Sequence, residues 1–215
     1  PLQEVQVRFD YRRTKPNSEP ADNRAWIAMH SDGILDYKPY SKKADSPDGI
    51  KKKKLPEGHE LDFAVLRLSR DVGDEIPEGE IEPRGWIDLS ADPPIPDEQT
   101  PVLIVQHPGR EKPPPPQMPL QITFATPGFE ELNANRTRIA YTPSTKSGSS
   151  GSPVFDGNLT AVALHHRFGR PHPGHANLVE NNRGIPLATI RAALDDDVRE
   201  MLIEPPHWHR GAQSG

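Results

Sequence analysis

Proline and glycine interrupt this chain so often that long regular elements have little room to form. The sequence has 26 prolines and 16 glycines in 215 residues, a share close to that of disordered chains. Short apolar runs nevertheless recur between the interruptions, and a disordered chain would lack them. Hydrophobic residues make up only 33% of the chain, so the core has to be small relative to the loops. The sequence therefore predicts one loop-rich β domain.

Several apolar runs have the pattern of β-strands. Alternation marks Leu2 to Phe9, and the candidate strand from Ala25 to Met29 is followed by the turn signal Ser31-Asp32-Gly33. The other candidate strands cover residues 61–68, 101–106, 120–125, 136–141, 153–155 and 159–164. Short strands separated by turn residues every ten or twenty positions are typical of a sandwich or barrel.

The rest of the chain divides into a helix, three loop segments and a tail. A helix is predicted after Pro186, where Leu187, Ile190, Leu194, Val198 and Leu202 recur at steps of three and four residues. We expect solvated excursions over residues 38–58, which contain four consecutive lysines, and over 167–174. The proline run at 113–116 predicts an extended arm or ligand motif. The domain is expected to span residues 1–204, with a flexible tail over 205–215.

Composition argues against several functions. The chain has no cysteine and a formal net charge of −5, which excludes a thiol nucleophile and disfavours general nucleic-acid binding. No apolar run approaches the roughly 20 residues that span a bilayer. We therefore expect no nucleic-acid or membrane partner, no cofactor and a cytoplasmic location. Because the chain starts at Pro1, we also expect that upstream sequence exists.

The segment Ser147 to Phe155 carries the strongest chemical signal. It reads Ser-Gly-Ser-Ser-Gly-Ser-Pro-Val-Phe, and small residues of this kind let the backbone turn tightly and direct its N–H groups at one point. Such a turn suits an oxyanion hole with a nucleophilic serine at its apex. A flexible Gly/Ser linker is the alternative, but a linker would not run directly into an apolar strand, a turn and a second strand.

Residues 148–154 resemble the Gly-x-Ser-Gly-Ser-Pro-Val motif of bacterial chymotrypsin-like (trypsin-fold) serine peptidases. The resemblance covers about residues 3–203 and implies that Ser150 is the nucleophile and that the N–H groups of Gly148 and Ser150 form the oxyanion hole. Residues 61–66 resemble the family's Asp-hydrophobic-Ala strand, which makes Asp62 the residue that orients the catalytic histidine. Residues 106–109 resemble a further landmark of the bacterial branch. The implied fold is all-β, with two six-stranded-type antiparallel β-barrels, the first barrel incomplete, and a C-terminal α-helix.

The catalytic histidine is where the sequence departs from the family. In the family it precedes the aspartate by several tens of residues, which would place it upstream of Pro1. His30, His59 and His107 match its expected context poorly. Three explanations remain open: a processed enzyme with the histidine on a docked N-terminal fragment, an isolated fragment of the protein, and a peptidase-like interaction module without catalysis. We favour the first, because the serine and aspartate motifs are both intact. By analogy with bacterial relatives, other domains of a larger parent are a further expected partner.

Two further residues suggest what the site would recognise. Thr145 and His165 resemble the threonine and histidine that line the specificity pocket of glutamyl endopeptidases. A hydroxyl and an imidazole N–H can both donate to a carboxylate, so an acidic side chain before the scissile bond of a protein or peptide substrate is predicted. In the alternative interpretation, His165 and His166 simply follow their strand.

A zinc site is a different alternative. The cluster His165, His166, His172 and His175 has metal-ligating residue types at short spacing. No carboxylate stands at metal spacing beside it, so the prediction favours no metal.

Overall fold

The computed structural model of this chain describes residues 5–13, 15, 18, 26–89, 92–109, 118–168, 171–172, 175–179 and 181–203. The elements within these ranges are the strands β1 (Gln6–Val7), β2 (Ile27–Lys38), β3 (Phe63–Leu68), β4 (Val102–Gln106), β5 (Gln121–Ala125), β6 (Phe129–Leu132), β7 (Ile139–Tyr141), β8 (Pro153–Asp156), β9 (Ala161–Phe168), β10 (Pro171–His172), β11 (His175–Val179) and β12 (Asn182–Pro186), and the helices α1 (Pro47–Lys51), α2 (Leu187–Ala193) and α3 (Asp196–Ile203).

The chain is mostly β, which confirms the predicted class. Seven strands form a sheet in the order β5-β4-β8-β9-β12-β7-β6, and every pairing in it is antiparallel. The sheet curls into a half-barrel. A small sheet has the order β1-β2-β3, and β10 pairs with β11. Closure of either sheet into a full barrel stays a prediction.

Two apolar clusters build the core. One lies on the seven-stranded sheet and includes Val102, Ile104 and Val154. The other joins β3 to the seven-stranded sheet and to the two C-terminal helices through buried side chains that include Phe63, Ile185 and Ile190. This second cluster holds the small sheet against the large one, so side chains from both can meet at their common border.

β2 is longer than the sequence predicts. The turn signal at residues 31–33 lies inside the strand, where the pairing with β3 jumps from Met29 opposite Leu68 to Ile34 opposite Leu66. The surplus residues bulge out of the pairing, and Gly33 takes a positive φ of 45° there. The turn residues therefore bend the strand without ending it.

The predicted C-terminal helix is two helices. Of its periodic residues, Leu187, Ile190, Leu194 and Val198 are buried, and Leu202 is partly buried. Leu194 itself is extended, with φ −65° and ψ 143°, and this ends α2. The break allows the backbone N–H of Asp195 to donate to the Asp36 carboxylate on β2 at 3.0 Å.

The excursion over residues 38–58 is more ordered than predicted. It contains α1, which Ser46 caps by accepting a hydrogen bond from the Gly49 N–H. Lys51 to Lys54 are exposed, as expected, but Asp45 and Ile50 are buried. The proline arm at 113–116 and the tail at 205–215 lie outside the described residues. No helix in the described ranges is long and apolar enough to cross a membrane.

Candidate active site

The loop between β7 and β8 presents Ser150 at a tight turn. Gly148 and Gly151 flank it with φ values of +90° and +87°, a region that side chains rarely occupy. A Cβ at Gly148 would lie 2.5 Å from the Gly109 nitrogen, so this glycine is also required for space. Ser150 is exposed, and its hydroxyl donates to the backbone carbonyl of His166 at 2.8 Å.

The neighbouring Ser149 anchors this turn. Its side chain is 1% exposed, and its hydroxyl donates to the Gln106 side-chain oxygen at 2.6 Å. The Gln106 amide nitrogen in turn donates to Thr123 and to the Ser144 carbonyl. The Gly109 N–H donates to the Ser147 carbonyl at 2.7 Å. The segment 106–109, which the sequence marks only as a family landmark, therefore supports the serine turn.

Asp62 stands at the border of the two sheets. It directly precedes β3 and has a left-handed backbone, with φ 54°, a conformation that aspartate tolerates better than most residues. Its N–H donates to the Pro39 carbonyl at 3.0 Å. The side chain is 45% exposed, and its Oδ2 lies 2.7 Å from Nδ1 of His166.

A β-bulge brings His166 into this position. β9 pairs His165 with Gly184 and Arg167 with Arg183, so His166 has no partner residue on β12. A bulge redirects the side chain of the extra residue, which explains why two successive histidines both line one cleft. The ring of His166 is buried, with Nδ1 facing Asp62 and Nε2 3.3 Å from Oδ1 of Asp45. Neither contact has hydrogen-bond alignment, so both are ion pairs.

A buried ion pair lies behind His166. The Arg138 guanidinium donates to both oxygens of Asp45, at 3.2 and 2.7 Å, and to the Glu60 carbonyl at 3.0 Å. Arg138 and Asp45 are 1% and 4% exposed at their side chains. Burial by itself would raise the pKa of Asp45, but His166 and Arg138 outweigh it and hold that pKa far below its ordinary value.

The two histidines titrate in opposite directions. Burial, and next the charge of His166, lower the pKa of His165 to about 4. Burial also acts to lower the pKa of His166, but the carboxylates of Asp45 and Asp62 outweigh it and raise that pKa above 6.5. At neutral pH His165 is uncharged, and the carboxylates favour an imidazolium at His166.

These side chains share a cleft of about 680 Å³. It is lined by Tyr40, Asp45, Asp62, Thr142, Ser144, Thr145, Lys146, Ser147, Gly148, Ser150, His165, His166, Arg167, Phe168 and Asn182. All five residues that the sequence singles out (Ser150, Asp62, Gly148, Thr145 and His165) line it. The tertiary structure thus brings them to one place.

Thr145 and His165 already have partners. The Thr145 hydroxyl donates to the Asn182 side-chain oxygen at 2.8 Å, and Asn182 is itself held by the Pro143 carbonyl at 2.7 Å. Nδ1 of His165 lies 2.8 Å from the Tyr141 hydroxyl. Complete burial raises the pKa of Tyr141 well above 10, so its hydroxyl stays protonated.

The other described histidines lie away from the cleft. His30 contacts its neighbours Ser31 and Asp32 on β2, and His59 stands beside Glu57 on the surface. His107 contacts the Met118 carbonyl and stacks on Tyr11. Among the described residues, no group of three or more His, Asp or Glu side chains is arranged to hold a metal ion. The side chains of His172 and His175, part of the zinc alternative, lie outside the described residues.

Sequence reasoning missed three side chains of the site. The sequence analysis gives His166 no role beyond the zinc alternative and a place after its strand, and Asp45 and Arg138 lie in segments interpreted as a loop and a strand. The doublet of histidines after an apolar strand was the available signal for His166. Asp45 and Arg138 are 93 residues apart and carry no local signal, because their pairing exists only in the folded chain.

The family comparison agrees with this geometry. Residues 22–164 match the model of the trypsin-like peptidase domain, which is about two thirds of the chain and includes Asp62 and Ser150. The chain belongs to the trypsin-like peptidase domain family.

Two other comparisons add little to this assignment. No curated protein matches the sequence. A solved structure described as a Glu endopeptidase in complex with MPD is similar, with 16% sequence identity and a TM-score of 0.41. The match covers 79% of this chain and 64% of that one, so this chain spans less than two thirds of the solved protein.

Proposed function

We propose that this chain is part of a serine endopeptidase in which Ser150 is the nucleophile and Asp62 orients the catalytic base. The observation that carries the proposal is the exposed Ser150 hydroxyl on a turn formed by two positive-φ glycines, in the same cleft as the Asp62 carboxylate. Ser150 Oγ would attack the carbonyl carbon of the scissile bond and pass its proton to the base, which returns it to the leaving amine. Water would then hydrolyse the acyl-enzyme.

The backbone around Ser150 supports an oxyanion hole. In the described part of the chain, the N–H groups of Gly148 and Ser150 donate to no backbone carbonyl, so both are available to a ligand. The positive φ of Gly148 sets the direction of its peptide plane. Two such amides would stabilise the negative oxygen of the tetrahedral intermediate.

The base has to come from a residue outside the described part of the chain. His166 cannot serve, because both of its ring nitrogens face carboxylates and its ring is buried. We infer that an N-terminal segment of the same protein supplies the histidine, either on a separately cleaved fragment or as part of a larger parent.

The free edge of the small sheet supports this inference. β3 pairs only with β2 among the described strands, and an unpaired strand edge invites a further strand. Exposed Leu66 and Ile87 line an apolar groove of about 310 Å³ along β3. A strand added at this edge would extend the small sheet toward a first barrel and would pass close to Asp62.

The cleft also supports an acidic preference. Lys146 and Arg167 line it, and neither has a carboxylate partner among the described residues. With the Tyr141 hydroxyl donating to Nδ1, a neutral His165 carries its proton on Nε2 and can donate it to a ligand. We propose that a Glu or Asp side chain before the scissile bond binds here, with the Thr145 hydroxyl turning from Asn182 to donate to its carboxylate beside Nε2–H of His165.

Fluorophosphonate labelling of the natural protein tests the catalytic assignment, because these probes need an activated serine. We expect mass spectrometry to find the label on Ser150. Ser150→Ala should abolish labelling, while Ser147→Ala, a change at an exposed serine of the same loop, should retain it. A folded protein that takes up no label would overturn the proposal.

A non-catalytic interaction module is the second candidate. It is favoured by the Ser150 hydroxyl, which donates to a backbone carbonyl and faces no described base. This candidate predicts a folded protein without labelling that still binds peptides in the cleft.

A further inference from the structure

The side chain of His166 is the strongest feature that the proposed chemistry leaves unused. It is 5% exposed at its side chain and lies between two carboxylates, Asp45 at 3.3 Å and Asp62 at 2.7 Å. A buried imidazole with carboxylates at both nitrogens is expected to carry a proton at each nitrogen. It therefore requires an explanation.

Four charged side chains, His166 among them, contact one another in series, and their signs alternate. Arg138 is positive, Asp45 negative, His166 positive when protonated, and Asp62 negative. The first three are buried, whereas the side chain of Asp62 is 45% exposed in the cleft. Each ion faces its opposite, so the row as a whole is neutral.

The inner end of this row is rigid. The Asp45 carboxylate accepts from Arg138 and from the Ser41 N–H at 3.1 Å. Arg138 is further held by the carbonyls of Thr137 and Glu60. Because Asp45 cannot shift without breaking several buried contacts, it provides a fixed support for the His166 ring.

The outer end has no comparable support from the described part of the chain. Asp62 has a left-handed backbone, a half-exposed side chain and its contact with His166. A carboxylate in that position would otherwise sample several rotamers. The Oδ2 contact with His166 leaves Oδ1 available for the catalytic base.

We propose that His166 is a positioning residue, whose imidazolium transmits the rigidity of the buried Arg138–Asp45 pair to Asp62 and holds that carboxylate in one orientation at the cleft. The role of Asp62 in catalysis rests on the proposed function, but the orientation of its carboxylate by His166 does not. The bulge of β9 is the structural device that makes the contact, since a regular strand would direct His166 to the other face of the sheet.

The contact by which His166 holds Asp62 depends on pH, and the charges around His166 determine whether it strengthens or weakens as the pH rises. Asp45 and Asp62 favour the imidazolium, while Arg138 and a protonated His165 oppose it. Because the balance raises the pKa of His166 above 6.5, the hold is complete below that pH and is lost as the pH rises through the raised pKa.

Nuclear magnetic resonance titration tests the contact without any need for catalysis. Asp62→Asn should lower the proton affinity of His166 about ten-fold. Asp48→Asn is the matched control, because Asp48 is an exposed aspartate on α1 that pairs with Lys52, and it should leave the titration of His166 unchanged. An unchanged titration in Asp62→Asn would overturn the proposal.

The orientation of Asp62 tests the positioning role. Scalar couplings between the α and β protons of Asp62 should report one χ1 rotamer at pH values below the pKa of His166. Above that pKa they should report averaging over several rotamers. His166→Asn should give averaging at every pH, and Asp45→Asn, which keeps the ring, should weaken the hold and shift its loss to lower pH. Identical rotamer populations on both sides of the titration would contradict the proposal.

The outcomes separate this proposal from the proposed function. Coupling of His166 and Asp62 without labelling of Ser150 would contradict the peptidase assignment alone. Labelling of Ser150 with an Asp62 rotamer indifferent to His166 would contradict the positioning role alone.

Discussion

Individual polar side chains hold the candidate site together. Ser149 donates to Gln106 in the interior, and Asp45 pairs with Arg138 behind the cleft. Unpaired polar groups in such positions are costly, so each pair constrains its partner strongly. The two residues proposed for catalysis, Ser150 and Asp62, are exposed and stand next to these buried anchors. Their positions therefore depend on residues that do no chemistry themselves.

The proposed acidic preference is a prediction about single contacts. The binding affinities of short peptides that end in Glu, Gln or Leu can be compared by the NMR chemical-shift changes of cleft residues, a measurement that requires no turnover. We expect the Glu peptide to bind about ten-fold more tightly than the Gln peptide, about 1.4 kcal/mol, because a carboxylate forms charge-assisted hydrogen bonds.

The threonine provides the matched variant for this comparison. Thr145→Val keeps the shape of the side chain but removes its hydroxyl, and it should reduce the ratio of Glu to Gln affinity several-fold. Ser147→Ala should leave the ratio unchanged. Equal affinities for Glu and Gln peptides in the unmodified protein would show that the cleft does not select a carboxylate.

At the scale of elements, small irregularities place the site. The bulge in β9 turns His166 toward Asp62, and the surplus residues of β2 bend that strand beside β3. The turn between β7 and β8 is the third irregularity, and its two glycines differ in their surroundings. A Cβ at Gly148 would collide with Gly109, whereas a Cβ at Gly151 would meet nothing within 4 Å.

This difference predicts unequal effects of two alanine substitutions. Gly151→Ala should cost about 1–2 kcal/mol of unfolding free energy, since its positive φ alone is unfavourable. Gly148→Ala should cost more, because the same strain is joined by a backbone collision, and it should also abolish labelling of Ser150. Urea denaturation measures both. Equal losses of stability would refute the steric explanation.

For the molecule as a whole, one apolar cluster joins the two sheets and the C-terminal helices. The cleft lies where the sheets meet, with Asp62 on the side of β3 and Ser150 on the side of β8. Buried charges and a buried histidine doublet occupy the same border, so the folding equilibrium is expected to respond to pH there.

The two histidines predict a stability maximum near pH 6.5. Between pH 4 and 6.5 the unfolded chain binds a proton at residue 165 that the folded chain does not, so stability rises with pH by on the order of 3 kcal/mol. Above pH 6.5 folded His166 retains a proton that the unfolded chain releases, so stability falls. The low pKa of Asp45 adds to the loss in acid.

Urea denaturation from pH 4 to 9 checks this profile. His165→Gln should flatten the acid limb, and His166→Gln should flatten the alkaline limb. The exposed change His59→Gln is the control and should leave both limbs in place. A stability that rises steadily from pH 5 to pH 9 would contradict the prediction.

Much of the fold was predictable because its signals are local. Apolar alternation, turn residues and the period of the C-terminal apolar residues depend on neighbours a few positions apart. The same holds for the serine turn, whose glycines are needed for backbone conformations within the segment itself. The family match over residues 22–164 includes the serine turn but not the C-terminal helices.

What the sequence by itself determined is the β class, the buried apolar stripe of the C-terminal helices and the motif around Ser150. Only the tertiary structure decided that Leu194 breaks the helix, that His166 faces Asp62 and that Asp45 pairs with Arg138 across 93 positions. Those features are set by free energies of burial, in which each charged or polar group needs a partner wherever the chain happens to bring one. A pattern of neighbouring residues cannot contain that information.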